Sequence, residues 1–333
     1  MLFFIVLISL IFFLFLFFSV SPGGLVDFRM GFLLKAAKLL EARNGTKNLH
    51  ELASRRSKTI ADIAFVSRKY RGVQVHDTIA AGSVPVRFYS IENDLHRPLI
   101  VYFHGGGYVL GDLGYADNIC MALVLKTGAL VVSVDYRLAP EHVFPSALED
   151  AEATVEWILQ RANNGTPAGY DPKRIFVMGD SAGGNLAAAL CLKLKESGQG
   201  TAIKGQILLY PVIDFSSMDT DSYNRYGKDY MLSKIDMEWF RDCYLSDPAD
   251  RKNPFVSVSL ADDLSSLPDA LIFTAEYDAL RDEGKLYADL LQKAGNKVSH
   301  ILMKSLTHGF LAMDAYLPQT NRVYAEVKAF IQG

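Results

Sequence analysis

The sequence predicts an α/β architecture: a mainly parallel central sheet flanked by helices, with a helical cap and an apolar N-terminal helix. Three observations carry this. From Val73 onward, short runs rich in β-branched and aromatic residues alternate with longer helical segments. A stretch rich in Asp, Ser and Tyr, residues 214–263, interrupts that alternation late in the chain. The first twenty positions are almost wholly apolar.

Leu2 to Val20 carries no charge and is mostly Phe, Leu and Ile, with Ser9 and Ser19 the only polar interruptions. At about 1.5 Å per residue a helix of this length spans about 28 Å, close to the hydrocarbon thickness of a bilayer. Residues 1–20 are therefore expected to form a transmembrane signal-anchor. A cleaved signal peptide is the alternative, since Ser19 and Ser21 resemble a cleavage site; Pro22 and the missing basic n-region argue against it. Orientation signals conflict. Arg29, Lys35, Lys38 and Arg43 follow the segment and none precedes it, which favours a cytoplasmic domain. The sequons at Asn44 and Asn164 matter only on the translocated side, and Asn-Gly pairs are also ordinary turn formers.

Residues 21–72 are expected to hold a linker and N-terminal cap helices. Ser21-Pro22-Gly23-Gly24 breaks the apolar run, and Leu25, Phe28, Phe32, Leu33, Ala36 and Leu40 then fall at helical spacing. Residues 73–333 form the expected catalytic domain. Its predicted strands are Val73 to Ile79, Val84 to Ser90, Leu99 to Phe103, Leu130 to Val134, Arg174 to Met178, Ile207 to Tyr210, Leu271 to Thr274 and Val298 to Met303. Its predicted helices are Tyr115 to Lys126, Ser146 to Arg161, Ala182 to Glu196, Arg281 to Lys293 and Gln319 to Ile331. The 214–263 stretch reads as a cap insertion with one helical piece, Lys234 to Tyr244.

At 333 residues, half hydrophobic and 21% charged, the chain is long enough for one large core. A net charge of −3 lacks the basic excess of a nucleic-acid binder, so a small-molecule substrate is the expected partner, with membrane contact through the N-terminal helix. Cys120, Cys191 and Cys243 are widely spaced and the histidines are not clustered, so neither a metal nor a cofactor is expected. Two of the cysteines could pair in an oxidising compartment.

Gly179-Asp180-Ser181-Ala182-Gly183 fits Gly-x-Ser-x-Gly, a short pattern that becomes informative through its setting. It follows the apolar run Ile175 to Met178 and opens the Ala-rich segment Asn185 to Leu190, which supplies strand, sharp turn and helix. Ser181 then occupies a strained backbone conformation, and side chains at Gly179 or Gly183 would collide as strand and helix approach. His104-Gly105-Gly106-Gly107 places a glycine-rich loop after the strand Leu99 to Phe103. The amides of Gly106, Gly107 and Ala182 are the candidate oxyanion donors. A serine hydroxyl needs a base and the base a carboxylate to orient it. His308, in the turn after the last strand, gives the order Ser, Asp, His; His104 is expected to shape its loop instead. Asp278 follows the strand Leu271 to Thr274, with Glu276 and Asp282 as rivals, Asp282 being expected to cap the helix from Arg281. Asp180 is expected to make structural hydrogen bonds.

These motifs, with Asp135 to Glu141 (DYRLAPE), Asp278 to Gly284 (DALRDEG) and His308-Gly309-Phe310, resemble the hormone-sensitive-lipase-like family of α/β-hydrolases. The resemblance covers nearly everything from about Val73 onward. It implies an α/β-hydrolase fold, a serine carboxylesterase acting through an acyl-enzyme, and a triad carried by Ser181, Asp278 and His308. It further implies that the N-terminal helices and residues 214–263 cap the site, with Met231, Trp239, Phe240 and Tyr244 as candidate walls or ordinary cap core. An amide hydrolase is the alternative, and a non-catalytic ligand-binding homologue a third, against which the presence of His308 argues. The apolar N-terminus makes the chain similar to the membrane-bound branch that includes arylacetamide deacetylase and neutral cholesterol ester hydrolase, whose catalytic domains face the endoplasmic reticulum lumen. Microbial esterases of the family carry the same motifs, and Tyr108 stands where Trp is often found.

Overall fold

The computed structural model describes residues 14, 17–21, 24–32, 34, 35, 52, 70–91, 96–163 and 169–333. Eight strands form one sheet: β1 Gln74–Ala80, β2 Val84–Ser90, β3 Arg97–Phe103, β4 Leu130–Val134, β5 Tyr170–Asp180, β6 Gly205–Leu209, β7 Asp269–Tyr277 and β8 Val298–Thr307. Their order is β8-β7-β6-β5-β3-β4-β2-β1. The pairings of β2 with β1 and with β4 are antiparallel; every other pairing is parallel. The central strands are buried on both faces, every residue of β4 and β6 being buried, which is why they read as continuous apolar runs.

Helices cover both faces. On one lie α2 Ser146–Asn163, α3 Ala182–Glu196 and α6 Arg281–Lys293, which bury Val155, Leu186 and Leu291 in the larger core. On the other lie α1 Leu113–Thr127 and α7 Thr320–Gln332, with Leu123, Val323 and Val327 in the second core. α1 begins where the Asp112 carboxylate accepts the Tyr115 N–H and ends at Gly128 in the left-handed conformation. Between β6 and β7 the chain builds α4 Asp221–Tyr226 and α5 Lys234–Tyr244. A reciprocal Ser233–Asp236 capping box starts α5 where the sequence pattern places it. The short α4 has no counterpart among the predicted elements.

Two expectations are corrected. Among the described residues no helix is long and apolar enough to cross a membrane. Residues 14 and 17–19 are helical, but Val20–Ser21 is extended and pairs antiparallel with Gly24–Leu25. The end of the apolar run is used inside the fold: Ser19 is buried and its carbonyl accepts the Val26 N–H at 2.9 Å. Most of residues 1–16 lie outside the described ones, as do both sequons and nearly all of 36–69. The single-pass anchor is withdrawn, and with it a catalytic domain held in the endoplasmic reticulum lumen. The second correction concerns the helix after the hinge. Among the described residues Val26, Met30 and Leu34 are the buried large apolar ones, whereas Leu25, Phe28 and Phe32 are exposed. The segment is apolar nearly all round, so periodicity alone selects no face. All three cysteines are buried.

Candidate active site

The functional side chains collect at the carboxyl ends of the parallel strands. Ser181 follows β5 directly, at φ 56° and ψ −118°, a conformation L-residues rarely adopt. Packing holds it there. Its N–H donates to the Leu209 carbonyl at 2.9 Å, and its own carbonyl accepts from Asn185 at 3.1 Å and Val212 at 3.2 Å. A Cβ at Gly179 would stand 2.2 Å from the Gly183 carbonyl oxygen, and one at Gly183 would stand 2.0 Å from the Phe103 oxygen. Strand, elbow and helix can meet only because both positions are glycine.

His308 Nε2 lies 2.9 Å from Ser181 Oγ, and His308 Nδ1 lies 2.9 Å from Asp278 Oδ2. The structure thus brings together three residues that the sequence separates widely. Asp278 is fully buried and its other oxygen accepts the Leu280 N–H at 3.0 Å, so the carboxylate is fixed from its own chain. Its two rivals are engaged elsewhere. Glu276 accepts the Ser305 N–H at 2.7 Å. Asp282 accepts the Ser222 N–H at 2.8 Å, so it caps α4 of the insertion and not its own helix, which corrects the capping expected of it. The edge of the Tyr210 ring packs against the imidazole, centroids 4.9 Å apart. No sequence signal marked that residue.

The glycine loop follows β3. Gly106 and Gly107 have φ of 120° and 65°, and Val109 and Leu110 both donate back to the Gly106 carbonyl, at 3.1 and 2.8 Å. Among the described residues the N–H groups of Gly106, Gly107 and Ala182 have no hydrogen-bond partner, which leaves them available to an incoming oxygen. Ala182 also opens α3, whose N-terminal dipole favours negative charge there. His104 is fully buried, stacked on Tyr136 at 4.4 Å, with Nδ1 2.8 Å from the Gly105 carbonyl oxygen. Burial lowers its pKa to about 4, so it stays neutral, in keeping with a loop-shaping role. Asp180 accepts from the Tyr102 hydroxyl at 2.6 Å and from the Gly105 N–H at 2.7 Å, the structural bonding expected of it.

Of the four aromatic or apolar cap residues singled out in the sequence, Phe240 lies over the loop: a Cβ at Gly107 would sit 2.2 Å from its ring. Tyr244 is cap core, stacked on Tyr108 at 3.8 Å, and the Tyr108 hydroxyl donates to Asn185 Oδ1 at 2.6 Å. Met231 is exposed. Glu283 of α6 is fully buried and accepts the N–H groups of Ile213 and Asp214 at 2.7 and 3.0 Å, where the chain enters the insertion. Burial pushes its pKa up to about 8. Among the described residues no cluster of His, Cys, Asp and Glu has the makings of a metal site.

Residues 100–312 match a family model described as alpha/beta hydrolase fold. The chain is 42% identical over 252 residues to the carboxylic ester hydrolase LipN of Mycobacterium tuberculosis, a match covering 72% of this chain and 66% of that protein. It is 37% identical over 242 residues to the ethyl acetate hydrolase of Pseudomonas putida, covering 72% and 75%. The structure of the hyperthermophilic esterase from the archaeon Pyrobaculum calidifontis superposes with a TM-score of 0.83 at 34% identity, over 90% of this chain and 97% of that one. These relatives are microbial esterases and add nothing to the resemblance to the membrane-bound branch.

Proposed function

The chain belongs to the alpha/beta hydrolase fold family, in its hormone-sensitive-lipase-like group, and from that premise we propose that Ser181, His308 and Asp278 carry out carboxylic-ester hydrolysis. The chain is a serine carboxylic-ester hydrolase. What supports the residue assignment is the unbroken pair of 2.9 Å contacts from Ser181 Oγ through the imidazole to the buried Asp278 carboxylate.

In this reading Ser181 Oγ attacks the ester carbonyl as its proton passes to His308 Nε2. The negative charge that develops on the carbonyl oxygen is met by the amides of Gly106, Gly107 and Ala182 and by the α3 N-terminus. Collapse of the tetrahedral adduct breaks the bond to the alkoxy oxygen, which leaves as the alcohol with the proton from Nε2. A water molecule then attacks the acyl-enzyme and gives its proton to His308. Second collapse returns that proton to Ser181 Oγ and frees the carboxylic acid. Asp278 holds the ring with Nδ1–H toward itself and Nε2 toward Ser181. Cleavage of a matched amide would use the same steps with a poorer leaving group.

The test is kinetic. Ser181→Ala should lose at least about 10³ in kcat on p-nitrophenyl butyrate and fail to react with a fluorophosphonate probe. Activity at the wild-type level in that variant would overturn the assignment. Matched ester and amide substrates, compared by kcat/KM, then decide between the esterase and amidase readings.

A further inference from the structure

We propose that Asp180 is the positioning residue of the oxyanion hole: its carboxylate ties the glycine loop after β3 to the elbow after β5 and so sets the spacing between the amides of Gly106 and Gly107 and that of Ala182. The proposal rests on the reading of the site given above. It assigns Asp180 a part in catalysis beyond structural hydrogen bonding.

The donors come from two separate elements. β3 and β5 stay in register as far as Phe103 opposite Gly179, and beyond that pair no ladder holds the loop to the elbow. Three consecutive glycines make the loop more freely jointed than any other part of the site. Oxyanion donors must nonetheless stand about 2.7–3.1 Å from the developing charge. Asp180 bridges the gap. Its backbone lies immediately before Ser181 and one residue further from Ala182. Its Oδ1 accepts the N–H of Gly105, immediately before Gly106, at 2.7 Å. Tyr102, on β3 itself, donates to the same oxygen at 2.6 Å, and the Tyr115 hydroxyl of α1 lies 3.4 Å from Oδ2.

The local sequence is arranged around that carboxylate. A Cβ on residue 105 would stand 2.4 Å from Asp180 Oδ2, so the loop reaches the carboxylate only with glycine there. Asp180 is 1% exposed, and among the described residues no Lys or Arg pairs with it. A buried carboxylate met by neutral donors is costly to keep, and an apolar residue of similar size would pack at lower cost but leave Gly105 without its anchor. Asp180 makes no hydrogen bond to His308, whose Nδ1 is taken by Asp278, so the role is distinct from that of the triad acid.

The experiment compares Asp180→Ala, Asp180→Asn and Tyr102→Phe with wild type, as full-length chains. Three quantities are read: kcat and KM on p-nitrophenyl butyrate, Ki for an aryl trifluoromethyl ketone, and the thermal midpoint. The ketone adds Ser181 Oγ to its carbonyl and places an oxyanion in the hole, so its Ki follows the donors. Loss of alignment equivalent to one donor predicts that Asp180→Ala lowers kcat about 10²-fold, raises the ketone Ki by a similar factor and leaves KM within about threefold. Asp180→Asn keeps the Oδ1 acceptor and should hold kcat within about tenfold of wild type. If Asp180→Ala does not fold, Tyr102→Phe decides, with kcat falling and Ki rising in parallel by about three- to tenfold. The proposal is overturned if Asp180→Asn loses as much as Asp180→Ala, if KM moves while kcat does not, or if Ki stays at the wild-type value in every variant that folds. Ser181→Ala is run alongside. Activity in that variant would sink the site reading itself, whereas an inactive Ser181→Ala beside a normal Asp180→Ala would sink only the positioning role.

Discussion

The backbone at Ser181 stores strain that can be measured directly by comparing two inactive variants, Ser181→Ala and Ser181→Gly. Both remove the hydroxyl and its 2.9 Å contact to His308, so that loss cancels between them. They differ in what the φ of 56° and ψ of −118° costs. A non-glycine residue in so sparsely populated a region costs about 1–3 kcal/mol, and glycine occupies it nearly freely. Against this, glycine loses about 0.5–1 kcal/mol more backbone entropy on folding than alanine. Taken at the middle of both ranges, the difference leaves Ser181→Gly more stable than Ser181→Ala by about 1 kcal/mol, an inversion of the usual ranking of the two residues. For a chain of this size that is a rise in thermal midpoint of about 1–2 °C, read by differential scanning calorimetry at one pH and scan rate. Should the glycine variant melt at or below the alanine variant, the elbow holds no strain worth the name. The claim that β5, α3 and the Leu209 carbonyl force Ser181 into its conformation would then fail.

Two further outcomes follow from particular contacts. Glu283 has a folded-state pKa raised to about 8 by burial, above the ordinary 4.5, so it stabilises the fold fully only below its unfolded pKa and loses that contribution as pH rises through about 8. Glu283→Gln, which keeps an acceptor for the amides of Ile213 and Asp214, should therefore gain in thermal midpoint relative to wild type between pH 5 and pH 9; a constant difference across that range would show that burial does not raise the Glu283 pKa. Phe240→Ala removes the ring that lies against Gly107 and should raise kcat/KM for octanoyl relative to acetyl p-nitrophenyl esters by about tenfold, while an unchanged ratio would mean that the ring does not bound the substrate.

Much of this arrangement was legible before any coordinates, and the reasons differ from element to element. β4, α3, α5 and α6 have the bounds expected of them because each has an unbroken apolar pattern between clear terminators. β5 and β7 run beyond their predicted cores, β5 starting at Tyr170, which pairs with Arg97 across an irregularity in the ladder, and ending at Asp180, which pairs with Leu209, because ladder partners continue where the apolar pattern has stopped. α4 is too short to show a period, and its start depends on the Thr220 side chain and on the distant carboxylate of Asp282. The N-terminal run misled for another reason: length and hydropathy report what a segment is able to do in a bilayer, and they carry no information about tertiary partners. Here the Ser19 carbonyl and the side chains of Val26 and Met30 are taken up by the fold itself, and Met30 Sδ lies 3.1 Å from the hydroxyl of Thr307, beside His308. The motif residues were legible because their chemistry restricts their identity. Tyr210 escaped because any large side chain able to fill the same space leaves the same trace in a sequence.

The strand order explains why such distant residues must meet where they do. β3 neighbours β5, so the glycine loop and the elbow emerge side by side at one sheet edge. Asp278 leaves β7, two strands away from β5, and His308 leaves β8, three strands away, or about 10 and 14 Å at ordinary interstrand spacing. Neither distance is bridged by a side chain pointing straight out from its own strand. The chain after β8 must fold back over the sheet edge, and its geometry does this: Gly309 takes φ 73°, and the turn Phe310–Met313 follows at once. β6 lies in the space between, and Tyr210 at its end contacts both the His308 and the Phe310 rings at 4.9 Å. The Tyr210 N–H donates to the Phe273 carbonyl of β7 at 2.6 Å, and the preceding Leu209 carbonyl accepts from Ser181. One strand end thus carries contacts to the nucleophile on one side and to the returning imidazole on the other. The spacing between base and nucleophile is therefore a property of β6, a strand that contributes no residue to the triad.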